Sequence, residues 1–266
     1  MKNQYNTERD ENLKPNAFAY NAVMRAYSQL HDLETLDNLF KELTDVQTYE
    51  DENIGPNSDS YAIAISGWTR YESYCTVENA GKGYTKASQY LQEMIEKEKK
   101  GCRSVITTPE LYNSVLRATR ISKSTHIETL QVALDTFSEL QSSRHHVDWF
   151  SYKCLLEVGL RVMSKESFDE KRNKFLKSVI QKCCDDGLLA GGVIQTIVNS
   201  PVYRDGWTIE SCNKIKKEML GDWPFPQVWT RNLKNPNLIP SKEDLSRTNW
   251  NVLGRGEKKQ SENTAW

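Results

Sequence analysis

Lys14-Pro15-Asn16-Ala17-Phe18-Ala19-Tyr20-Asn21-Ala22-Val23-Met24 is the stretch from which the fold can be read. A Pro-Asn pair precedes a run in which Tyr20, Val23, Met24 and Tyr27 fall at i, i+3, i+4 and i+7, the spacing of one helix face. Three later segments align with it. They are Pro56-Asn57-Ser58-Asp59-Ser60-Tyr61-Ala62, Thr108-Pro109-Glu110-Leu111-Tyr112-Asn113-Ser114-Val115-Leu116 and Val147-Asp148-Trp149-Phe150-Ser151-Tyr152-Lys153-Cys154-Leu155-Leu156. Their anchoring tyrosines stand 41, 51 and 40 residues apart.

A second block follows three of these heads: Leu36-Asp37-Asn38-Leu39-Phe40-Lys41-Glu42-Leu43, Ala87-Ser88-Gln89-Tyr90-Leu91-Gln92-Glu93-Met94 and Ala133-Leu134-Asp135-Thr136-Phe137-Ser138-Glu139-Leu140. Leu33, Leu36, Leu39, Phe40 and Leu43 line one face, as do Ile127, Leu130, Leu134 and Phe137. The fourth second block, around Phe175 and Val179, is degraded. A single helix of this length cannot bury such a stripe, whereas two antiparallel helices stacked on the next pair can. Helix starts are written in as well, since Thr108-Pro109-Glu110 offers a cap residue, a first-turn Pro and an early acid.

At these residues the chain resembles the pentatricopeptide repeat family. The likeness rests on a Pro-Asn/Asp pair, a small residue with Tyr-Asn, and an Ala-Leu-x-x-Phe-x-Glu-Leu block. It covers roughly residues 14–186, in units longer than the family's, with inserts at 46–55 and 72–86. The resemblance implies an all-α fold, a right-handed superhelical solenoid of about four antiparallel helix-turn-helix repeats. On this reading residues 1–13 are a disordered N-terminal segment and 14–186 the array. Two capping helices occupy 187–221, and an irregular, partly disordered tail containing Pro and Trp fills 222–266. Leu188–Val198 and Ile209–Leu220 are the capping helices, and Gly191–Gly192 is read as a helix break.

The formal charge of −1 does not announce a nucleic-acid partner, but its distribution is uneven. Residues 1–59 carry 5 Lys/Arg against 12 Asp/Glu, and the remainder carries 30 against 24. The six cysteines lack Cys-x-x-Cys spacing and read as small hydrophobes in a reducing compartment. No apolar run suits a membrane span. Glu8, Asp10 and Glu11 argue against a transit or signal peptide at the start of the chain, so either the protein stays where it is made or this chain lacks its natural front end, and no membrane partner is expected.

No enzyme signature is present, and neither a catalytic residue, a metal site nor a cofactor is expected. His31, His126, His145 and His146 lack metal-ligand spacing, and Gly187, Gly191 and Gly192 spell no phosphate loop. What the family resemblance implies is sequence-selective binding of single-stranded RNA in organellar processing, stability or translation, in a mitochondrion or plastid. One base per repeat would be read by two side chains, one just after the Tyr and one just before the next first helix. Carried over, Asn21 pairs with Asn57, Ala62 with Thr108 and Asn113 with Asp148, and Lys153 heads the fourth repeat. By family analogy Asn with Asp favours uracil and Asn with Asn favours pyrimidines. A bland reading stands beside this one: Asn16, Asn57, Thr108 and Asp148 are residues a helix N-terminus wants as a cap regardless of RNA. Asn21 and Asn113 are harder to explain blandly, because Asn is a poor helix-interior residue. Lys97, Lys99, Lys100 and Arg103, with Lys171, Arg172, Lys174 and Lys177, are candidate RNA-backbone contacts or simply wet helix faces. The rival function is a tetratricopeptide-like scaffold holding a peptide or helix of another protein in its concave groove.

Overall fold

The computed structural model describes residues 16–49, 55–164 and 169–198. The expected N-terminal segment, the 209–220 helix and the 222–266 tail lie outside them. Every regular element among the described residues is helical, with no strand. The chain divides into two compact units, Met1–Glu166 and Ser167–Trp266.

In the first unit, α1 (Ala17–Leu30) and α2 (Leu33–Tyr49) form the first hairpin. Helices α3 (Ser58–Tyr74) and α4 (Lys82–Lys99) form the second, joined by a short 3-10 turn at Val77–Asn79. The third is α5 (Pro109–Ile121) with α6 (Ile127–Ser142), and α7 (Trp149–Val162) follows. From α1 to α7 each helix contacts the next, and α1 also contacts α3, α3 contacts α5, α4 contacts α6 and α5 contacts α7. The first helices α1, α3, α5 and α7 are thus packed one on the next, and the second helices lie beside them.

The sequence signals map onto this packing. Tyr20, Tyr61, Tyr112 and Tyr152 are all buried. The aromatic of a second block meets the tyrosine heading the next repeat edge-on, Phe40 to Tyr61 at 5.0 Å and Phe137 to Tyr152 at 5.1 Å between centroids. Within the first hairpin the Tyr20 hydroxyl donates to Glu42 Oε1 at 2.9 Å. The two blocks therefore recur together because they touch.

Val23 and Ile127, expected on the buried stripes, are instead exposed. The residues at Val23's place in the later first helices, Ala64, Val115 and Leu155, are buried. In those helices the preceding first helix covers that side, and no described helix does so for α1.

Caps close most helix starts. Asn16, Asp32, Asn57 and Asp148 accept from the backbone N–H of Ala19, Thr35, Ser60 and Ser151 at 3.0, 3.1, 3.0 and 2.9 Å. Thr108 departs from its expected role, since its side chain does not cap α5. Its hydroxyl bonds the Glu110 carboxylate, which this bond holds below the usual range.

The insert at 72–86 is built around a buried carboxylate. Glu72 accepts from the N–H groups of Gly81 at 2.7 Å, Gly83 at 2.8 Å and Tyr84 at 3.3 Å, and from the Ser122 hydroxyl. A negative charge at the start of α4 is favourable for the helix dipole and satisfies its orphan N–H groups. Gly83 is required there, because a Cβ would stand 2.6 Å from both Glu72 Oε2 and the Trp68 carbonyl.

In the second unit α8 (Asp169–Asp185) buries Leu176, Ile180, Cys183 and Cys184. Gly187 takes a left-handed φ of 68°. The expected 188–198 helix is shortened from its front end, and α9 (Gly191–Val198) opens on the glycine pair.

Candidate nucleic-acid interface

The N-terminal turns of the first helices carry a repeated polar arrangement. Asn21 lies in the first turns of α1, and its Nδ2 donates to Asn57 Oδ1, the cap of α3, at 3.1 Å. The Ser60 hydroxyl, three residues after that cap, lies 2.6 Å from Asn21 Oδ1 and 3.1 Å from Asn57 Oδ1. The pattern returns between α5 and α7. There Asn113 Nδ2 donates to Asp148 Oδ2 at 2.8 Å, and the Ser151 hydroxyl lies 2.8 Å from Asn113 Oδ1 and 2.9 Å from Asp148 Oδ1. Two of the three residue pairs carried over from the family are therefore in direct contact.

The third pair makes no such contact. Ala62 has no polar side-chain atom, and Leu111 stands where Ser60 and Ser151 stand in the other junctions. The α3–α5 junction is tied differently at this edge, by Ser58 bonding the backbone of Ser104 at 3.0 Å and Ile106 at 2.8 Å. At the head of α7, Lys153 Nζ sits 3.7 Å from Glu157, which also pairs with Arg120 at 3.1 Å.

These sites differ in exposure. Asn21 is buried and Ser60 and Ser151 are fully so, whereas Asn57, Ala62, Thr108, Asn113, Asp148 and Lys153 keep partial access to solvent. Each amide retains one N–H and one oxygen lone pair beyond its clamp. Asn57 Oδ1 is taken up inward by Asn21, the Ser60 N–H and the Ser60 hydroxyl, which leaves its NH₂ turned away from that cluster. Asp148, in contrast, can only accept.

Charge separates the helices as well. The first helices α1, α3, α5 and α7 carry 6 Lys/Arg against 4 Asp/Glu, one of the latter being the buried Glu72. The second helices α2, α4 and α6 carry 5 against 10. Within the first unit the first helices are thus mildly basic and the second helices α2, α4 and α6 acidic.

Lys97, Lys99, Lys100 and Arg103 sit where α4 ends, beside the α3 N-terminus, since Ser104 accepts from the Ser58 N–H. Burial depresses the Lys97 pKa, and its ammonium lies over the Tyr61 ring at 5.7 Å. Lys99 faces Glu139 at 3.6 Å. Lys171, Arg172 and Lys174 belong to the second unit, where Arg172 is buried and the two lysines and Lys177 are exposed.

Several contributors leave no mark in the sequence pattern. Ser60 and Ser151 carry no signal of their own in the sequence, because serine is common in a first helical turn. Phe150 is flanked by the guanidinium groups of Arg117 at 5.3 Å and Arg120 at 5.6 Å, which makes a cationic and aromatic patch next to Lys153. On the second-helix side, Asp37 accepts from Trp68 Nε1 at 2.8 Å, Lys86 Nζ at 2.9 Å and the Tyr90 hydroxyl at 2.7 Å. They line a cleft of about 590 Å³ between α2 and α4. Among the described residues no group of three or more His, Cys, Asp or Glu side chains is placed to hold a metal ion. None of the described helices is long and apolar enough to cross a membrane.

A scan against models of known protein families finds no match, and a search of curated proteins finds none either.

Proposed function

We propose that the first-helix side of this array binds single-stranded RNA, in the manner of a pentatricopeptide-like right-handed solenoid acting in organellar RNA processing, stability or translation. The observation that carries the reading is the repeated Asn–cap–Ser arrangement at two junctions. It holds a carboxamide of fixed polarity at equivalent places, each with a donor and an acceptor to spare. A donor–acceptor pair is what the Watson–Crick edge of an unpaired base requires. The excess of Lys and Arg on the first helices supports backbone contact, and the Phe150 patch can stack a base. Asn113 with Asp148 offers a donor plus several acceptors, which suits a base edge with an N–H, such as uracil. Asn21 with Asn57 offers more donors and suits a pyrimidine rich in acceptors. The Ala62–Thr108 position between them imposes little, so the preferred RNA has two specified bases separated by an unspecified one.

Titrating labelled oligo-U, oligo-C and oligo-A at low and moderate salt tests this. Binding that weakens with salt and prefers pyrimidines is the expected result. Absence of binding below tens of micromolar, or an Asn113→Ala variant with unchanged base preference, overturns it. The acidic, aromatic cleft at Asp37 favours a second reading, a scaffold for a peptide or helix of another protein. In that case Trp68→Ala abolishes peptide binding, and RNA does not compete.

A further inference from the structure

We infer that Ser60 and Ser151 are positioning residues for base selection: each hydroxyl fixes which way the carboxamide of Asn21 or Asn113 faces. The inference rests on the RNA reading above and deepens it.

The polarity of the backbone cannot be reversed. The N–H of Ser60 donates to Asn57 Oδ1 at 3.0 Å, and that of Ser151 to Asp148 Oδ1 at 2.9 Å. The cap therefore turns an oxygen inward, in α3 because only oxygen can accept and in α7 because aspartate has nothing else. The first-helix asparagine must then turn its NH₂ toward the cap, at 3.1 Å for Asn21 and 2.8 Å for Asn113. A flipped amide would set two oxygens face to face. Its own oxygen is left pointing at the serine, at 2.6 Å for Ser60 and 2.8 Å for Ser151. No other described group donates to either amide oxygen. The serine hydroxyl is the second pin of a two-pin mount, and rotation about Cβ–Cγ needs both pins to be stopped.

The three members also come and go together. The two junctions that carry the asparagine carry the serine, and the junction that has Ala62 has Leu111 in the serine's place. A serine needed only to start a helix would have no reason to track an asparagine on a different helix. Holding the amide matters for selection because its free N–H and free lone pair must meet a base edge in a set order. A rotating amide accepts either order.

The experiment compares Ser151→Ala with Asn113→Ala in the whole chain, reading the ratio of affinities for otherwise identical RNAs with U or C at one position. Ser151→Ala is expected to cut that ratio by roughly five-fold, with affinity for the preferred RNA changed much less. Asn113 side-chain NH₂ resonances supply a second readout that does not depend on RNA, and these protons should exchange faster in Ser151→Ala. If Asn113→Ala lowers the ratio and Ser151→Ala does not, the positioning role is wrong while the RNA reading stands. If neither variant alters it, or no RNA binds, both fall. If the amide protons exchange at the wild-type rate in Ser151→Ala, the positioning role again falls.

Discussion

Asn113 on α5 and Asp148 at the head of α7 are joined side chain to side chain at 2.8 Å, across 35 residues of sequence. Asn21 and Asn57 stand in the same relation across 36. The bond has a structural consequence whether or not RNA is present, because it ties neighbouring first helices at one edge. Asn113→Ala removes the donor to Asp148 Oδ2 and leaves the Ser151 hydroxyl with Asp148 Oδ1 alone as acceptor, and should cost about 1 kcal/mol. Urea unfolding of the variant measures it, and Ala62→Asn, which meets no ready-made partner, should bring no matching gain.

Glu72 gives a larger prediction. Its carboxylate is fully buried, and the N–H groups of Gly81, Gly83 and Tyr84 converge on it together with the Ser122 hydroxyl. Glu72→Ala strips four donors of their acceptor and should destabilise by at least about 3 kcal/mol. Gly83→Ala should be comparably harmful, since its Cβ would fall 2.6 Å from the Trp68 carbonyl, which cannot move independently of α3. Thermal or urea unfolding of both variants reads this, and a loss under about 1 kcal/mol in either would count against the buried network.

These two sites mark how far the sequence could be read. Period and spacing reveal the helices, and the tyrosines at 20, 61, 112 and 152 reveal which segments are equivalent, because burial on one helix face leaves a local pattern. The pairing of Asn21 with Asn57 and of Asn113 with Asp148 was legible only through the family likeness. Ser60 and Ser151 were not, since a first-turn serine is ordinary and its partner lies on another helix. Glu72 was hidden for the same reason: a glutamate in an insert looks solvated until three N–H groups from 81–84 are seen to fold back on it. Val23 shows the converse, a stripe residue left exposed because no described helix precedes α1.

Tyrosines at equivalent positions should respond with opposite sign to loss of the hydroxyl. The Tyr61 hydroxyl is buried with no hydrogen-bond partner among the described residues, and burial raises its pKa. Tyr20 instead donates to Glu42. Tyr61→Phe removes an unsatisfied group and should stabilise by about 1 kcal/mol, while Tyr20→Phe should destabilise by about 1 kcal/mol. Paired urea melts decide it, and a loss of stability in Tyr61→Phe would show that its hydroxyl is in use.

Arg161 closes the C-terminal end of α5 from α7. Its guanidinium donates to the carbonyls of Thr119, Arg120 and Ser124, and burial lowers its pKa. Helix C-terminal carbonyls attract a cation, and only a planar fork can meet three of them at once. Arg161→Lys should therefore retain part of the charge interaction yet lose about 1–2 kcal/mol, and Arg161→Met should lose more. Equal stability of the Lys variant and the wild type would mean that charge alone suffices.

Thiol reactivity tests the packing of the array and the second unit together. Cys75, Cys154, Cys183 and Cys184 are buried and unpaired, and Cys102 is partly exposed. Burial pushes the Cys154 thiol up to about 12 and the Cys184 thiol to about 12, and it raises Cys75 and Cys183 as well. The thiolate is the reacting species, so the native protein holds almost none at these four positions near neutral pH. Of these five described cysteines, an alkylating reagent with site-by-site mass mapping should label Cys102 first. The other four should react only as fast as the structure opens, and denaturant should bring them to the rate of Cys102. Raising the pH toward 9 while the protein stays folded should leave Cys154 slow to react, because both burial and its raised pKa protect it. Rapid labelling of Cys154 at neutral pH in the folded protein would mean that α7 is not packed against α5 and α6 as described.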